Sequence, residues 1–533
     1  MINIKKRYCA ILSILSLLYS LFLLVTPILM KNLVDVALSV SDGVKAIKDL
    51  YYIIITLGAI ILVDIVIFFI QRALYFHFSV KLENEFKNDI FSKFLHKDYN
   101  GMLNYHTAEL EQLFNTDIVN IINTNLDTIP NFIKQLTRLI LAIIIVIIMD
   151  YRFLIFILVC AIVGFIFSKL YSSLLQKRHK EVLEVKGVVN SYIVEAKDAF
   201  KLLKTYKSED GAERHFTNLC NCEVESKRKR NKVLLIASTG LFCFSNLAYL
   251  FVLGYGAVQI AFQALSYGSI LALVQLFNHI QAPILTFSQL LNQYNLGKTS
   301  NLRINKLLNL EDDNCDIKLT SFDEIIFKDV CFSYPNHEIL KDFNYKIYPN
   351  QIIHLQGPSG IGKTTLFMLL LGFLKPTSGE IIIKKDGNNY TPGGITRSLF
   401  AYVAQENILF SGTILDNIKI LTGSTDDEII AALKTSNVYD ELMNLPLGLN
   451  TILKKNGVGL SLGQIQRILI AVAILSNRPI LLLDEFSSAL DIENEMKIVE
   501  NLIRLNKTII YITHRKNLIK NDDTIILKEL NNE

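Results

Sequence analysis

Gly357-Pro358-Ser359-Gly360-Ile361-Gly362-Lys363-Thr364 is the stretch from which this chain is read. An apolar run, Ile352-Ile353-His354-Leu355, precedes it, and a helix-like run, Leu366 to Leu371, follows it. Strand, glycine-rich loop and helix in that order make a phosphate loop. Glycines let backbone N–H groups turn inward around phosphate oxygens, and the helix N-terminus adds the positive end of its dipole. Lys363 can reach the β- and γ-phosphates, and the Thr364 hydroxyl can sit on Mg²⁺. The expected nucleotide contacts are therefore Gly357 through Thr364, with Thr365 behind them.

A second apolar run, Ile480-Leu481-Leu482-Leu483, ends in Asp484-Glu485. A buried strand there delivers Asp484 to Mg²⁺ and Glu485 to the side of the γ-phosphate, where a carboxylate can polarise the attacking water. A third run, Ile509 to Thr513, ends in His514, which is placed to hold that water.

The bulk composition divides the chain. It has 533 residues, 51% of them hydrophobic, with a mean hydropathy of +0.34. The apolarity is concentrated in the first 300 residues, so a membrane half precedes a soluble half. A net charge of +4 is too modest to argue for nucleic acid. The seven cysteines, at 9, 160, 220, 222, 243, 315 and 331, have no disulfide-framework spacing. Cys220 and Cys222 lack the second pair a zinc site needs. No cleavable signal is evident: the first apolar run, 8–30, is longer than a signal core and has no small-residue cleavage site.

Apolar stretches near 8–30, 50–71, 129–149, 153–172, 233–262 and 268–291 each suit a bilayer about 30 Å thick. The expectation is six spans, with Asp150-Tyr151-Arg152 as the tip of a tight hairpin between the third and fourth. The N-terminus carries Lys5, Lys6 and Arg7. The connection 173–232 holds fourteen Lys and Arg, ending in Lys227-Arg228-Lys229-Arg230, whereas 262–268 holds no charge. That asymmetry puts both termini and the two long connections, 73–128 and 173–232, in the cytosol. The run at 227–230 reads as an anchor on the inner face rather than a nucleic-acid patch. Helical periodicity in both connections predicts spanning helices that run on into the cytosol. The acidic stretch Leu310 to Asn314 marks a linker. The expected division is a membrane domain over 1–300, a linker over 301–324 and a nucleotide-binding domain over 325–533.

Further motifs make the family specific. Residues 325–533 resemble the nucleotide-binding domain of an ABC transporter: Tyr334 in Phe332-Ser333-Tyr334-Pro335, Gln405 in Ala404-Gln405-Glu406-Asn407, Leu460-Ser461-Leu462-Gly463-Gln464, and Ser488-Ala489-Leu490-Asp491. The membrane half is similar to the exporter class with six spans fused ahead of the motor, through Thr26-Pro27, Leu33-Val34-Asp35, Asn190 and Glu195. The fold this implies is an α-helical polytopic membrane domain followed by an α/β P-loop NTPase domain of ABC type. The resemblance implies that Tyr334 stacks on adenine, that Gln405 lies at the interface with the membrane domain, joins Glu485 and His514 in catalysis and joins Thr364 and Asp484 on Mg²⁺, and that Asp491 lies in the loop that crosses to a partner subunit. It also implies that two motors sandwich two ATPs, each held between one chain's phosphate loop and the other's Ser461, Gly463 and Gln464. One chain has one motor, so a half-transporter is expected, with a homodimer preferred over a heterodimer.

This chain departs from the pattern at four places. Leu462 stands where the family favours glycine, Lys455 where a glutamate precedes the signature, Val472 where an arginine often follows it, and Asn350-Gln351 where Gly-Glu is common. They put in question the efficiency of the composite site and the identity of the partner.

Two features of the spans can touch cargo. Asp64 lies inside the second, where a carboxylate is costly and faces either a cavity or a neighbouring helix. Gln275, His279, Pro283, Thr286, Gln289 and Gln293 recur at helical steps along the sixth and are read as lining a wet cavity rather than only packing helix on helix. The expected activity is ATP-driven export, or flipping, of a peptide, lipid, glycan or drug across a plasma membrane. An ATP-gated channel or regulator on the same scaffold is the alternative, and the intact Glu485 and His514 favour turnover. Spans that begin at residue 8 leave no N-terminal peptidase-like extension, and the Ile-, Lys- and Asn-rich composition hints at a prokaryote.

Overall fold

The structure is a computed structural model that describes residues 6–38, 44–103, 105–313, 318–334, 337–358, 360–405, 408–454, 457, 459–486, 492–513 and 523–527. The chain divides into two compact units: Met1–Ser92 with Thr107–Asn309, and Lys93–His106 with Leu310–Glu533.

The first unit is helical. Its elements are α1 (Lys6–Leu23), α2 (Val25–Leu38), α3 (Val44–Leu95, whose last residues belong to the second unit), α5 (Thr107–Gln112), α6 (Ile118–Asn123), α7 (Ile129–Met149), α8 (Tyr151–Asp198), α9 (Phe200–Thr205), α10 (Glu209–Ala261) and α11 (Tyr267–Leu308). The short α4 (Tyr99–Leu103) belongs to the second unit. Among the described residues, five stretches are long and apolar enough to cross a bilayer: Lys6–Leu38, Ile47–Leu95, Thr107–Met149, Glu209–Ala261 and Tyr267–Leu308. The expected fourth span falls on α8, most of whose side chains from 154 to 172 lie outside the described residues. The helices far outrun the apolar windows. At 52 residues α3 is about 78 Å long.

Sequence explains the interruptions. Pro27 has no N–H to give the Leu23 carbonyl, so the helix breaks at Leu24, and the Thr26 hydroxyl donates to Leu23 O instead, at 2.8 Å. The predicted hairpin tip is present: Asp150 is extended, caps α8 by accepting from Arg152 N at 2.9 Å, and accepts from the Tyr255 hydroxyl at 2.7 Å. Asp35 likewise fastens the start of α11, accepting from Gly268 N at 2.9 Å and from the Ser266 hydroxyl at 2.7 Å. A Cβ on Gly268 would stand 2.2 Å from Lys31 O, so only glycine fits. Between α5 and α7 the helix widens into π turns at Leu113–Asp117 and Thr124–Thr128. The first presents the buried Asp117 to Arg303 of α11, with bonds of 2.8 and 2.5 Å, and to the Ser300 hydroxyl at 2.7 Å.

Two positions of the polar stripe on α11 make hydrogen bonds inside the helical unit. His279 Nδ1 accepts from Arg138 Nε of α7 at 2.7 Å, and the Thr286 hydroxyl turns back to Ala282 O. The first bond joins helix to helix, and the second satisfies the backbone near Pro283. Asp64 Oδ1 is buried and, among the described residues, has no hydrogen-bond partner.

In the second unit a parallel sheet of order β11-β3-β10-β9-β6 faces an antiparallel sheet of order β2-β1-β4-β5. The strands are β1 (Glu324–Tyr334), β2 (His337–Ile347), β3 (Ile352–Gln356), β4 (Ser378–Lys385), β5 (Asn388–Tyr390), β6 (Phe400–Val403), β7 (Gly412–Thr413), β8 (Ile452–Leu453), β9 (Ile480–Asp484), β10 (Thr508–Ile512) and β11 (Asp523–Ile526). The helices are α12 (Lys363–Leu370), α13 (Ile414–Thr422), α14 (Asp426–Thr435), α15 (Tyr439–Met443), α16 (Leu462–Leu475) and α17 (Ile492–Ile503). β9 and β10 are buried along their whole length, which is why they read as unbroken apolar runs. Ile353, Leu355 and Ile510 pack with Leu366, Phe367 and Leu370 of α12 in one core. Across the sheet, Leu481, Leu483 and Ile509 pack with Ile470 and Ala473 of α16 in another. The same α16 sends Ile465, Ile468 and Ala471 into a third core with α13, α14 and α15. One helix thus ties the catalytic sheet to a small helical subdomain.

Lys93–His106 closes on the linker. Lys97 Nζ donates to Asp312 Oδ1 at 2.6 Å and to Leu310 O at 2.8 Å. Asp98 N donates to Glu311 O, and Asp313 N to His96 O. Tyr99 of α4 packs on Phe373, and the Arg397 guanidinium covers the ring of Phe373 while pairing with Asp313.

Candidate nucleotide site

The site is built where parallel strands end and loops begin, the usual ligand position of such sheets. β3 lies between β11 and β10, and β10 pairs with β9 so that Ile512 stands opposite Asp484. The loop after β3 and the carboxylates ending β9 therefore open on one edge.

The phosphate loop has the expected backbone. Gly360 and Gly362 have φ of 84° and 102°. A Cβ on Gly362 would lie 2.1 Å from Ile339 Cγ2, so this glycine is fixed by both conformation and space. Lys363 opens α12, is mostly buried, and donates to Gly357 O and Pro358 O at 2.8 Å each, which holds the loop curled around its ammonium. Ile361 packs against the first core, and Thr365 is buried behind the helix start. Ser359 lies outside the described residues.

The acidic side is equally ordered. Asp484 is buried, its Oδ2 accepting from the Tyr402 hydroxyl at 3.3 Å and its carboxylate accepting from the Thr364 hydroxyl. Burial pushes its pKa above the usual carboxylate range, while the bonds from Thr364 and Tyr402 and the charge of Lys363 pull it down. Asp484 Oδ1 is buried with no partner among the described residues. A buried anionic oxygen beside a threonine hydroxyl suits a hard cation that takes its other ligands from water and phosphate, as Mg²⁺ does. No cluster of three or more His, Cys, Asp or Glu able to hold a metal occurs among the described residues.

Glu485 has φ 46°, a left-handed backbone rare outside glycine, and its N–H donates to Ile512 O at 3.1 Å. That turn reverses the side chain relative to the buried strand, and Glu485 Oε2 accepts from Gln405 Nε2 at 2.8 Å. Two residues 80 positions apart are thereby joined, and Tyr402 sits three residues before Gln405. Tyr402 was not among the sequence candidates. Its signal was a single polar tip in the apolar strand Phe400-Ala401-Tyr402-Val403. Tyr334 ends β1, is 45% exposed and stands edge-on to Phe332 at 5.0 Å, leaving a ring face free for stacking. His514 and Asp491 lie outside the described residues, as do Lys455 and Ser488.

The signature opens α16. Ser461 caps it, its hydroxyl accepting from Gln464 N at 3.2 Å while Gln464 Oε1 accepts from Ser461 N at 3.0 Å. Gly463 is buried, whereas Leu462 is 63% exposed. Arg467 holds the helix start in place, donating to both carboxylate oxygens of Glu441 at 2.6 and 2.7 Å. Asn350 has φ 63°, and asparagine tolerates that region better than most side chains, so the missing glycine costs little there. Val472 packs in the helical-subdomain core.

Comparison with known proteins agrees with this geometry. The ABC transporter transmembrane region family matches residues 9–284, and the ABC transporter family matches 340–488. An export ATP-binding/permease protein of Rickettsia bellii, itself named provisionally, is 29% identical over 98% of this chain and 92% of its own. A mitochondrial potassium channel ATP-binding subunit from Pongo abelii is 31% identical over 62% of this chain and 47% of its own. A bacterial Atm1-family ABC exporter solved with ATP bound shares the fold, with a TM-score of 0.84 at 20% identity, over 99% of this chain and 94% of that one. The chain belongs to the ABC transporters, as a multi-pass membrane region fused ahead of an ATP-hydrolysing domain that drives export.

Proposed function

We propose that Glu485 is the general base of ATP hydrolysis in a homodimeric exporter, with Gln405 as its positioning partner. The hydrogen-bonded join of Gln405 to Glu485, next to the Thr364–Asp484 pair, carries this reading. Lys363 and the loop amides of Gly357, Gly360, Ile361 and Gly362 bind the β- and γ-phosphates, and Thr364 and Asp484 would hold Mg²⁺, which would neutralise charge on the transferring phosphoryl group. Water held by Glu485, Gln405 and His514 attacks γ-phosphorus in line. One water proton passes to the Glu485 carboxylate, the bond from γ-phosphorus to the bridging oxygen breaks, and that oxygen leaves on ADP.

Each ATP is completed by Ser461, Gly463 and Gln464 of the second copy, with Asp491 crossing toward it and Tyr334 stacking on adenine. The exposed Leu462 and the capped helix start beside it suit a surface that meets a partner. Both termini and the connections 73–128 and 173–232 are cytoplasmic, by the distribution of Lys and Arg. Glu485→Gln in the purified protein tests the chemistry: ATP binding should persist while turnover falls about a hundredfold or more. Near-normal hydrolysis would overturn the assignment. Likeness to a channel subunit favours a second reading, a scaffold that gates on nucleotide binding alone. In that case Glu485→Gln would leave ATP-dependent flux intact, whereas in an exporter it stops flux.

A further inference from the structure

We propose that the cargo is an amphiphile with an anionic head group, received in a cavity beside α8, α10 and α11 and drawn inward to Arg138 and His279. The inference deepens the export reading and rests on it for direction of transport, but not for binding.

The cavity has a volume of about 540 Å³. Its lining includes Leu175 and His179 of α8, Arg230 and Leu234 of α10, and Asn295 and Thr299 of α11. These positions cluster at the basic ends of apolar windows: after 153–172, across the start of 233–262 and after 268–291. The cavity therefore sits at head-group depth, with leucines for an alkyl chain and two potential cations for a head.

Charge around it is left over rather than balanced. Nearby carboxylates are already engaged: Glu181 with Arg178 at 2.8 Å, Glu223 with Lys227 at 2.7 Å and Glu225 with Lys229 at 2.7 Å. Arg230 donates only to the neutral Asn231 amide oxygen among the described residues. Uncommitted positive charge beside apolar walls selects an acidic amphiphile over a neutral one.

Deeper in the same unit the pattern repeats. Lys134 and Arg138 stand one turn apart on α7, inside the window 129–149. Lys134 lies over the Tyr19 ring at 5.3 Å, and Arg138 meets the neutral acceptor His279. No carboxylate forms an ion pair with either among the described residues: Asp127, the nearest acid in sequence, accepts from Asn131 and acts on Lys134 only at longer range, and Arg138 has no carboxylate acting on it. Two unpaired cations within a membrane span are costly, and such groups mark a substrate path. His279 lies thirteen residues before Asn292, which also lines the cavity from α11, about 20 Å along the helix. The cavity and the deep cations thus form two stations at different depths on one helix.

The test uses the full chain in nanodiscs of zwitterionic phosphatidylcholine. The chain has no tryptophan, so fluorescence from a dansyl-labelled alkyl phosphate reports binding without competing emission. Dodecyl phosphate should displace the probe and stimulate ATPase, whereas dodecyl maltoside should do neither. Adding phosphatidylglycerol to the disc separates a bilayer source from a soluble one: stimulation by the lipid alone assigns a resident lipid, and stimulation by dodecyl phosphate in phosphatidylcholine discs assigns a soluble amphiphile. Arg230→Gln and Arg138→Gln should each raise the half-stimulating concentration about tenfold. Arg138→Lys should recover part of the loss. Equal displacement by dodecyl maltoside, or anion binding that survives loss of both arginines, overturns the proposal. Arginine-dependent binding in nucleotide-free protein with no ATP-dependent transfer would instead keep the site and overturn the export reading.

Discussion

Lys97→Met isolates the contact between the Lys93–His106 segment and the linker. The Lys97 side chain is only 4% exposed and places its ammonium 2.6 Å from Asp312 Oδ1 and 2.8 Å from Leu310 O. Methionine keeps the apolar stem and removes both charge-assisted bonds. Each such bond contributes about 1.5–3 kcal/mol. Asp312 is 56% exposed and recovers water when the lysine is lost, so its bond is largely discounted and the net cost is close to that of the one bond to Leu310 O, about 2 kcal/mol. That corresponds to roughly a thirtyfold shift in local opening. Two amides report it directly, since Asp98 N donates to Glu311 O and Asp313 N to His96 O. Their hydrogen-exchange protection should drop roughly thirtyfold, while Leu482 and Ile510 in the buried strands stay protected. Stimulation of ATPase by cargo should weaken with basal hydrolysis retained. Unchanged exchange at Asp98 and Asp313 would refute the account of this clasp.

Other outcomes follow from the nucleotide site. Lys363→Ala should lower both ATP affinity and hydrolysis, whereas Tyr334→Ala should weaken affinity with a smaller effect on the chemical step; unchanged affinity in the tyrosine variant removes the stacking role. Because burial raises the Asp484 pKa, its charged form destabilises the nucleotide-free fold fully above the raised value, and the penalty fades as pH falls from there to the ordinary carboxylate range. Mg²⁺ offsets the penalty, so the rise in Tm on adding Mg²⁺ should grow with pH across the window above the ordinary carboxylate range, and Asp484→Asn should abolish that increment. Leu462→Gly should leave hydrolysis by the isolated chain unchanged or faster, and the rate should depend on protein concentration through dimerisation. A chain that binds ATP yet stays silent at every concentration excludes the homodimer.

What the sequence disclosed depended on how local the physics is. Phosphate binding fixes loop spacing over a few residues, so Gly357 to Thr364 was legible, and the glycine at 362 has both a positive φ and a neighbour where a Cβ would go. Complete burial turned β9 and β10 into unmistakable apolar runs, which located Asp484 and Glu485 at a strand end. The hairpin at Asp150 was legible because a short polar break between two spans can only be a turn. Pairings across the fold were not. Gln405 and Glu485 meet across 80 positions, Arg138 and His279 across 141, and Lys97 and Asp312 across 215. Periodicity shows that one face of α11 is polar, but it is silent on what that face meets. At His279 the answer is a cation on α7, and that cation has no carboxylate of its own among the described residues. A helix-packing role accounts for the bond to His279 without accounting for a surplus of charge inside a bilayer. That surplus is a reason to look for the missing anion in the cargo rather than in the chain.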